Sequence, residues 1–146
     1  MSLAEFLKEK KYTRIKLHRL KSNHFAMKAT INGVKGWFIL DTGASNTLVD
    51  HEHSKLFRMK VEETDVKVTG AGAVNMNSKV SRKNRLKIGK WSNNKAMIVL
   101  FNLTHVNSGL DHLDVEPIDG IIGTDILKKG KAIIDYDKKY LYLKLS

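Results

Sequence analysis

Along most of this chain apolar and polar residues alternate with a period of two, in short runs broken by turn residues. Residues 12–20 set Ile15 and Leu17 on one side, and residues 24–31 do the same with Phe25, Met27, Ala29 and Ile31, the spacing of half-buried strands. Asn32-Gly33 follows, a pair suited to a two-residue hairpin because both central positions take positive φ. The return strand, 34–40, ends in Trp37-Phe38-Ile39-Leu40, an apolar run that predicts cover on both faces. Residues 65–69, 74–80, 85–88, 95–101, 131–135 and 140–145 predict further strands, with 95–101 apolar enough to be central and Trp91 packed under the turn before it. Helical spacing is weak and local. It is seen in a charged arm at 1–11, in a segment through Leu56 and Phe57 capped by Asp50 or Ser54, and near Ser108 in the long connection 102–117. The pattern predicts an all-β domain over 12–146 with short helical segments.

Composition narrows the class without naming a function. A chain of 146 residues, 42% hydrophobic and 28% charged, is long enough to bury about two thirds of its extended surface in one core. No apolar run approaches the ~20 residues that cross a bilayer, so no membrane span is predicted, and the N-terminus lacks a secretory apolar region. The compartment stays open, with a soluble cytoplasmic protein as the default and a removed export signal as the alternative. Without cysteine there is no disulfide framework, thiol nucleophile or cysteine-ligated zinc.

The net charge of +11 raises nucleic acid as a partner. Its visible sources are Lys8, Lys10, Lys11, Arg14, Lys16, Arg19 and Lys21, and then Lys79, Arg82, Lys83, Arg85, Lys87 and Lys90. Within both clusters the charges alternate with apolar residues, as on the solvated face of a strand. No recognition helix, zinc-finger spacing or interleaved aromatic platform accompanies them, which argues against nucleic acid. His51-Glu52-His53 lacks the spacing of a two-histidine zinc helix, and no metal site is expected.

Candidate chemistry lies at the end of the run 37–40, in Asp41-Thr42-Gly43-Ala44-Ser45. A carboxylate leaving apolar packing needs donors or a shared proton. Gly43 lets backbone approach it, Thr42 brings a hydroxyl, and Ala44 keeps the adjoining wall small. Asp-Thr-Gly alone would also suit an ordinary Asx turn. A second stretch, Ile121-Ile122-Gly123-Thr124-Asp125-Ile126-Leu127, again runs an apolar strand into a glycine and then a polar-acidic pair. Between them Gly70-Ala71-Gly72-Ala73 forms a low-bulk hairpin tip able to offer backbone groups to an extended ligand.

In this order and spacing the two motifs resemble the two halves of the signature of retropepsin-like aspartic peptidases, and the resemblance covers roughly 25–145. It implies a closed-barrel-like retropepsin fold with a flap hairpin at Gly70, Ala71, Gly72 and Ala73. It implies Asp41 as the catalytic residue, Thr42, Gly43 and Ala44 as supports of the active-site loop, and Ile121, Ile122, Gly123 and Asp125 as a structural second motif. Water would be the nucleophile, with no metal or organic cofactor. Paired aspartates share one proton, and the chain has a single Asp-Thr-Gly, so the resemblance implies a homodimer cutting peptide or protein substrates. Leu141, Leu143 and Leu145 offer an apolar face to the partner copy, and the arm or the 102–117 connection would be placed to cover the interface or cleft. Two other readings stand beside the peptidase: a catalytically silent peptide-binding module of the same fold and, more remotely, a basic nucleic-acid-binding domain.

Overall fold

The computed structural model describes residues 1–70 and 73–145, with the backbone alone for 63–70 and 73–78. Its organising hairpin joins β3 (Phe25–Ile31) to β4 (Val34–Leu40) through Asn32 and Gly33, at φ 52° and 83° as the two-residue turn requires. β4 runs parallel to β9 (Gly120–Ile122), and β9 is antiparallel to β5 (Leu48–Asp50). β5 runs parallel to β8 (Trp91–Phe101), which is antiparallel to β7 (Ala73–Ile88). β7 returns to β3 through Thr30 opposite Lys87 and Ile31 opposite Leu86. The ring β3-β4-β9-β5-β8-β7 is thereby closed, and the expected all-β barrel is present. β2 (His18–Arg19) and β6 (Glu62–Gly70) extend it, while β1 (Tyr12–Lys16), β11 (Tyr140–Lys144) and β10 (Ile133–Asp135) form a separate sheet in the order β1-β11-β10.

Two strands depart from the periodic pattern for identifiable reasons. Residues 12–20 divide at Leu17, whose N–H donates to Lys139 O at 2.9 Å, so that β1 joins the C-terminal strands and β2 the barrel. Residues 73–88 form one strand, where alternation predicted two, because the register shifts between Ser81 and Asn84 and Lys83 takes φ 62°. Asn84 is 2% exposed, and its amide donates to Ser81 O and Ala96 O while its Oδ1 accepts from Asn32 Nδ2. A buried asparagine holding an irregular strand together reads, in sequence, as a break between two strands.

The larger core cluster gathers Met27, Ile31, Phe38, Leu86, Ile98 and Ile122 from the ring, and adds Phe57 and the C-terminal Leu141 and Leu143. The apolar face expected to meet a partner copy is therefore spent within the chain: Leu141 and Leu143 are fully buried, because β11 packs on the barrel as well as pairing with β1. The connection 102–117 contains α2 (Thr104–Asp111), and Leu103, Leu110, Val115 and Ile118 close a second cluster with Ile39, Leu48 and Ile121. α1 (Leu3–Glu9) occupies much of the charged arm, with Ser2 Oγ accepting from Glu5 N–H and Leu7 3% exposed. Among the described residues no helix is long and apolar enough to cross a membrane.

His18 tests the barrel's edge. Its ring lies against Trp37 with centroids 5.2 Å apart, and burial, then Lys16 and Lys28, hold its pKa below the usual 6.5. A histidine kept neutral in the folded state supports that state fully above its unfolded pKa and loses this support as pH falls through its lowered folded value. Stability should decline below about pH 6.5 in the parent and decline less in His18→Gln. Denaturant midpoints measured across this range would show it, and parallel curves for the two chains would refute it.

Candidate active site

The loop of residues 41–47 leads from β4 to β5, which are not neighbours, since β9 lies between them. The loop must therefore step over the end of β9. Asp41 N–H donates to Ile122 O at 3.0 Å, and Ala44 O accepts from Thr124 N–H at 2.8 Å and from Thr124 Oγ1 at 3.2 Å. The crossing leaves no room for side chains. A Cβ on Gly123 would stand 2.6 Å from Asn46 O and 2.7 Å from Ala44 O, while at the other end of β9 one on Gly120 would stand 2.2 Å from Leu48 O of the neighbouring β5. β9 consequently begins on one glycine and is followed by another, with Ile121 and Ile122 buried between them.

Asp41 emerges half-buried at the end of β4. Gly43 N–H donates to Asp41 Oδ1 at 2.8 Å, and Ala44 N–H donates to Asp41 O at 3.2 Å. A Cβ on Gly43 would lie 3.2 Å from the same carboxylate oxygen. Thr42 and Gly43 are exposed while Ala44 is fully buried, so the loop turns its acid, hydroxyl and glycine outward over a packed alanine. Thr42 also borders a shallow cavity of about 330 Å³, shared with Leu127, Ala132 and Ile134 and flanked by Lys128 and Lys131.

The carboxylate of the second motif has a different environment. Asp125 opens α3 (Thr124–Lys129), where its Oδ1 accepts from Thr47 Oγ1 and Ile126 N–H, both at 2.8 Å, and its Oδ2 accepts from Thr47 N–H at 3.1 Å. Thr47 Oγ1 also accepts from Gly123 N–H at 3.0 Å. Thr47 is fully buried and joins the two motifs, yet no sequence signal singled it out. It stands where a strand begins, 78 residues from its partner.

Gly70 ends β6 opposite Ala73, which begins β7, whereas Ala71 and Gly72 lie outside the described residues. His53 has Nδ1 2.9 Å from Asp119 Oδ1, while Asp119 Oδ2 accepts from Trp37 N–H at 2.8 Å. That pair fixes the chain as it enters β9. Among the described residues no group of three or more acids and histidines is arranged to hold a metal ion.

A family model described as aspartyl protease matches residues 27–126, which take in the Asp41 motif and the second motif through Ile126. The chain belongs to the aspartyl protease family. Its fold is the retropepsin fold. It resembles a retropepsin-like aspartic protease from Rickettsia conorii with a TM-score of 0.56 at 22% identity, over 90% of this chain and 89% of that one. It resembles the retroviral protease-like domain of Ddi1 from Leishmania major with 0.53 at 17%, over 81% and 86%. EIAV protease complexed with the inhibitor HBY-793 matches with 0.52 at 17%, over 75% and 90%. No curated protein matches significantly.

The two loop glycines of this aspartyl protease should respond differently to a methyl group. Gly123→Ala drives a Cβ into two backbone oxygens and should cost about 3 kcal/mol or more. Gly43→Ala meets only a movable carboxylate and should change stability by less than about 1 kcal/mol. Denaturant unfolding of both variants provides the check, and equal losses would contradict the crossing geometry.

Proposed function

We propose that this chain is an aspartic endopeptidase whose catalytic dyad consists of Asp41 from each of two copies. The observation that carries the reading is the contrast between its two motif carboxylates. Asp41 is turned outward with a backbone donor, Gly43 N–H, on Oδ1, while Asp125 accepts three hydrogen bonds from Thr47 and Ile126 among the described residues. Asp125 is committed as an acceptor, so it is poorly suited to be the second acid of a pair. A two-fold axis beside Asp41 supplies that acid from an identical loop. The exposed hydroxyl of Thr42 is the group that would lock the two loops, and the cavity it shares with Ile134 of β10 is the side on which a copy would approach.

In this mechanism one Asp41 is ionised and the other protonated. The ionised carboxylate takes a proton from water as the water oxygen bonds to the peptide carbonyl carbon, and the protonated one gives its proton to the carbonyl oxygen. The tetrahedral diol then collapses: one carboxyl passes its proton to the amide nitrogen, the C–N bond breaks, and a diol hydroxyl gives its proton to the other carboxylate as the carbonyl re-forms, which returns the dyad to one shared proton. Gly43 lines the channel, and the backbone at Gly70, Ala71, Gly72 and Ala73 pairs with the substrate as an added strand. Gly123 and Asp125 act through the loop and are positioning residues.

Asp41→Asn should lower cleavage of a degenerate peptide library to a few per cent of the parent or less while unfolding at the same denaturant concentration. Binding without turnover by the parent chain would instead identify a peptide-binding module. Asp125→Asn should reduce stability by about 1–3 kcal/mol, because it removes acceptors from buried donors. An equally stable, inactive Asp125 variant would reverse the two roles.

A shared dyad also makes activity depend on association. Specific activity should fall on dilution below the dimer dissociation constant, and an excess of Asp41→Asn chains should poison the parent in proportion to their share. Full activity in a preparation that sediments as a monomer would refute the two-copy site. The rate should follow a bell in pH, since the pair fails with no proton or with two.

A further inference from the structure

β1 pairs with β11 on one side only, so among the described residues its other edge carries no strand. That edge borders a groove of about 750 Å³, lined in succession by Tyr12, Thr13 and Arg14. Side chains of a strand alternate between faces. Three consecutive residues bordering one space place it along the strand's edge, and Tyr142 and Leu145 on the β11 side complete the lining. The facing wall is α1, which contributes Ala4, Glu5 and Lys8, and the rim carries Lys11 and, from the β7–β8 turn, Lys90.

Four exposed cations, Lys8, Lys11, Arg14 and Lys90, therefore surround an open strand edge with Glu5 as the one carboxylate in the lining. None of the four has an acidic partner within ion-pair distance among the described residues, whereas Arg82 pairs with Glu62 at 2.9 Å. We propose that this groove binds an extended acidic peptide segment. Its backbone adds to the edge of β1, and its Asp and Glu side chains meet Lys8, Lys11, Arg14 and Lys90.

The groove's chemistry favours a peptide over a nucleic acid. An open strand edge offers alternating N–H and C=O groups, which a peptide backbone matches and a phosphodiester does not. The nearby rings are also occupied: the Arg14 guanidinium covers Tyr140 at 4.3 Å from its centroid, Tyr142 is 3% exposed, and Tyr12 is half-buried with its hydroxyl donating to Lys131 O at 3.0 Å. A second copy of the chain, at +11, brings the wrong charge. No residue of the 41–47 loop lines the groove, so the inference does not rest on the peptidase reading.

The full chain carrying Asp41→Asn, which spares the probe from cleavage, is titrated into a fluorescein-labelled ten-residue peptide alternating Glu with Val and Thr, read by anisotropy. Binding should weaken with added salt. The same peptide methylated at every second amide nitrogen should bind at least about tenfold more weakly, since it keeps its charge and loses its ladder. Binding should be lost in the triple variant Lys8→Glu, Lys11→Glu, Lys90→Glu, whose sites are all exposed and whose folding is checked by circular dichroism. Independently of any further variant, titrating the unlabelled peptide should shift backbone amide resonances of residues 12–16. Equal binding of the methylated peptide, shifts centred on residues 41–47, or undiminished binding by the triple variant would each overturn the proposal. So would displacement by single-stranded RNA of equal charge at a lower concentration than the peptide itself requires.

Discussion

The site depends on one crossing, in which the backbone of residues 41–47 passes over the end of β9 at backbone contact distance. Because β4 and β5 flank β9 without touching each other, the loop has a single route between them. That route exists only if the residue just after β9, Gly123, carries no side chain. The carbonyl of Ala44 and the N–H of Asp41 are then satisfied by Thr124 and Ile122, which would otherwise be unpaired backbone groups at the edge of a core. Asp41 inherits its position from this arrangement. Its carboxylate faces out because the residue after next, Gly43, turns an N–H back onto Oδ1.

Much of this could be read from sequence because it rests on local chemistry. Asn32-Gly33 encodes its turn in two residues, the alternation in 25–31 encodes a half-buried strand, and Asp-Thr-Gly brings acid, hydroxyl and glycine together within three positions. What could not be read depends on partners distant in the chain. Thr47 matters through Asp125, and the polarity of Asn84 makes sense only beside Asn32 and Ala96. The apolar face of β11 shows the same limit from the other side. Period-two spacing established that Leu141 and Leu143 share a face, but only the packing decides that this face belongs to the chain's own core and not to a second copy.

The two motifs illustrate how one residue type takes two tasks. Both place an aspartate just beyond a parallel-paired strand, β4 or β9. After Asp41 comes a loop with a glycine, which gives one donor and leaves the carboxylate half-exposed. After Asp125 comes a helical turn, whose Ile126 N–H and the neighbouring Thr47 occupy both oxygens. Hydrogen bonds to a charged acceptor stabilise by roughly 1.5–3 kcal/mol each, so the second carboxylate is held as structure. The difference follows from what each acid runs into, a turn whose Gly43 N–H points back at Oδ1 in one case and the first turn of α3 beside Thr47 in the other.

The three-stranded sheet extends this division to the surface, since its two open edges differ in chemistry. β1 carries exposed Arg14 and Lys16, and cations on an edge strand oppose pairing between like chains. In a molecule of net charge +11 that opposition is reinforced by everything around it. β10 instead runs Ile133-Ile134-Asp135, half-buried, and Ile134 shares a cavity with Thr42, Leu127 and Ala132. For the proposed dyad, the β10 side is the one where apolar contact is available next to the loop that carries Asp41. The β1 side is left for a partner of opposite charge. In that reading an acidic segment seated there would lower the charge repulsion between copies and leave the β10 side open.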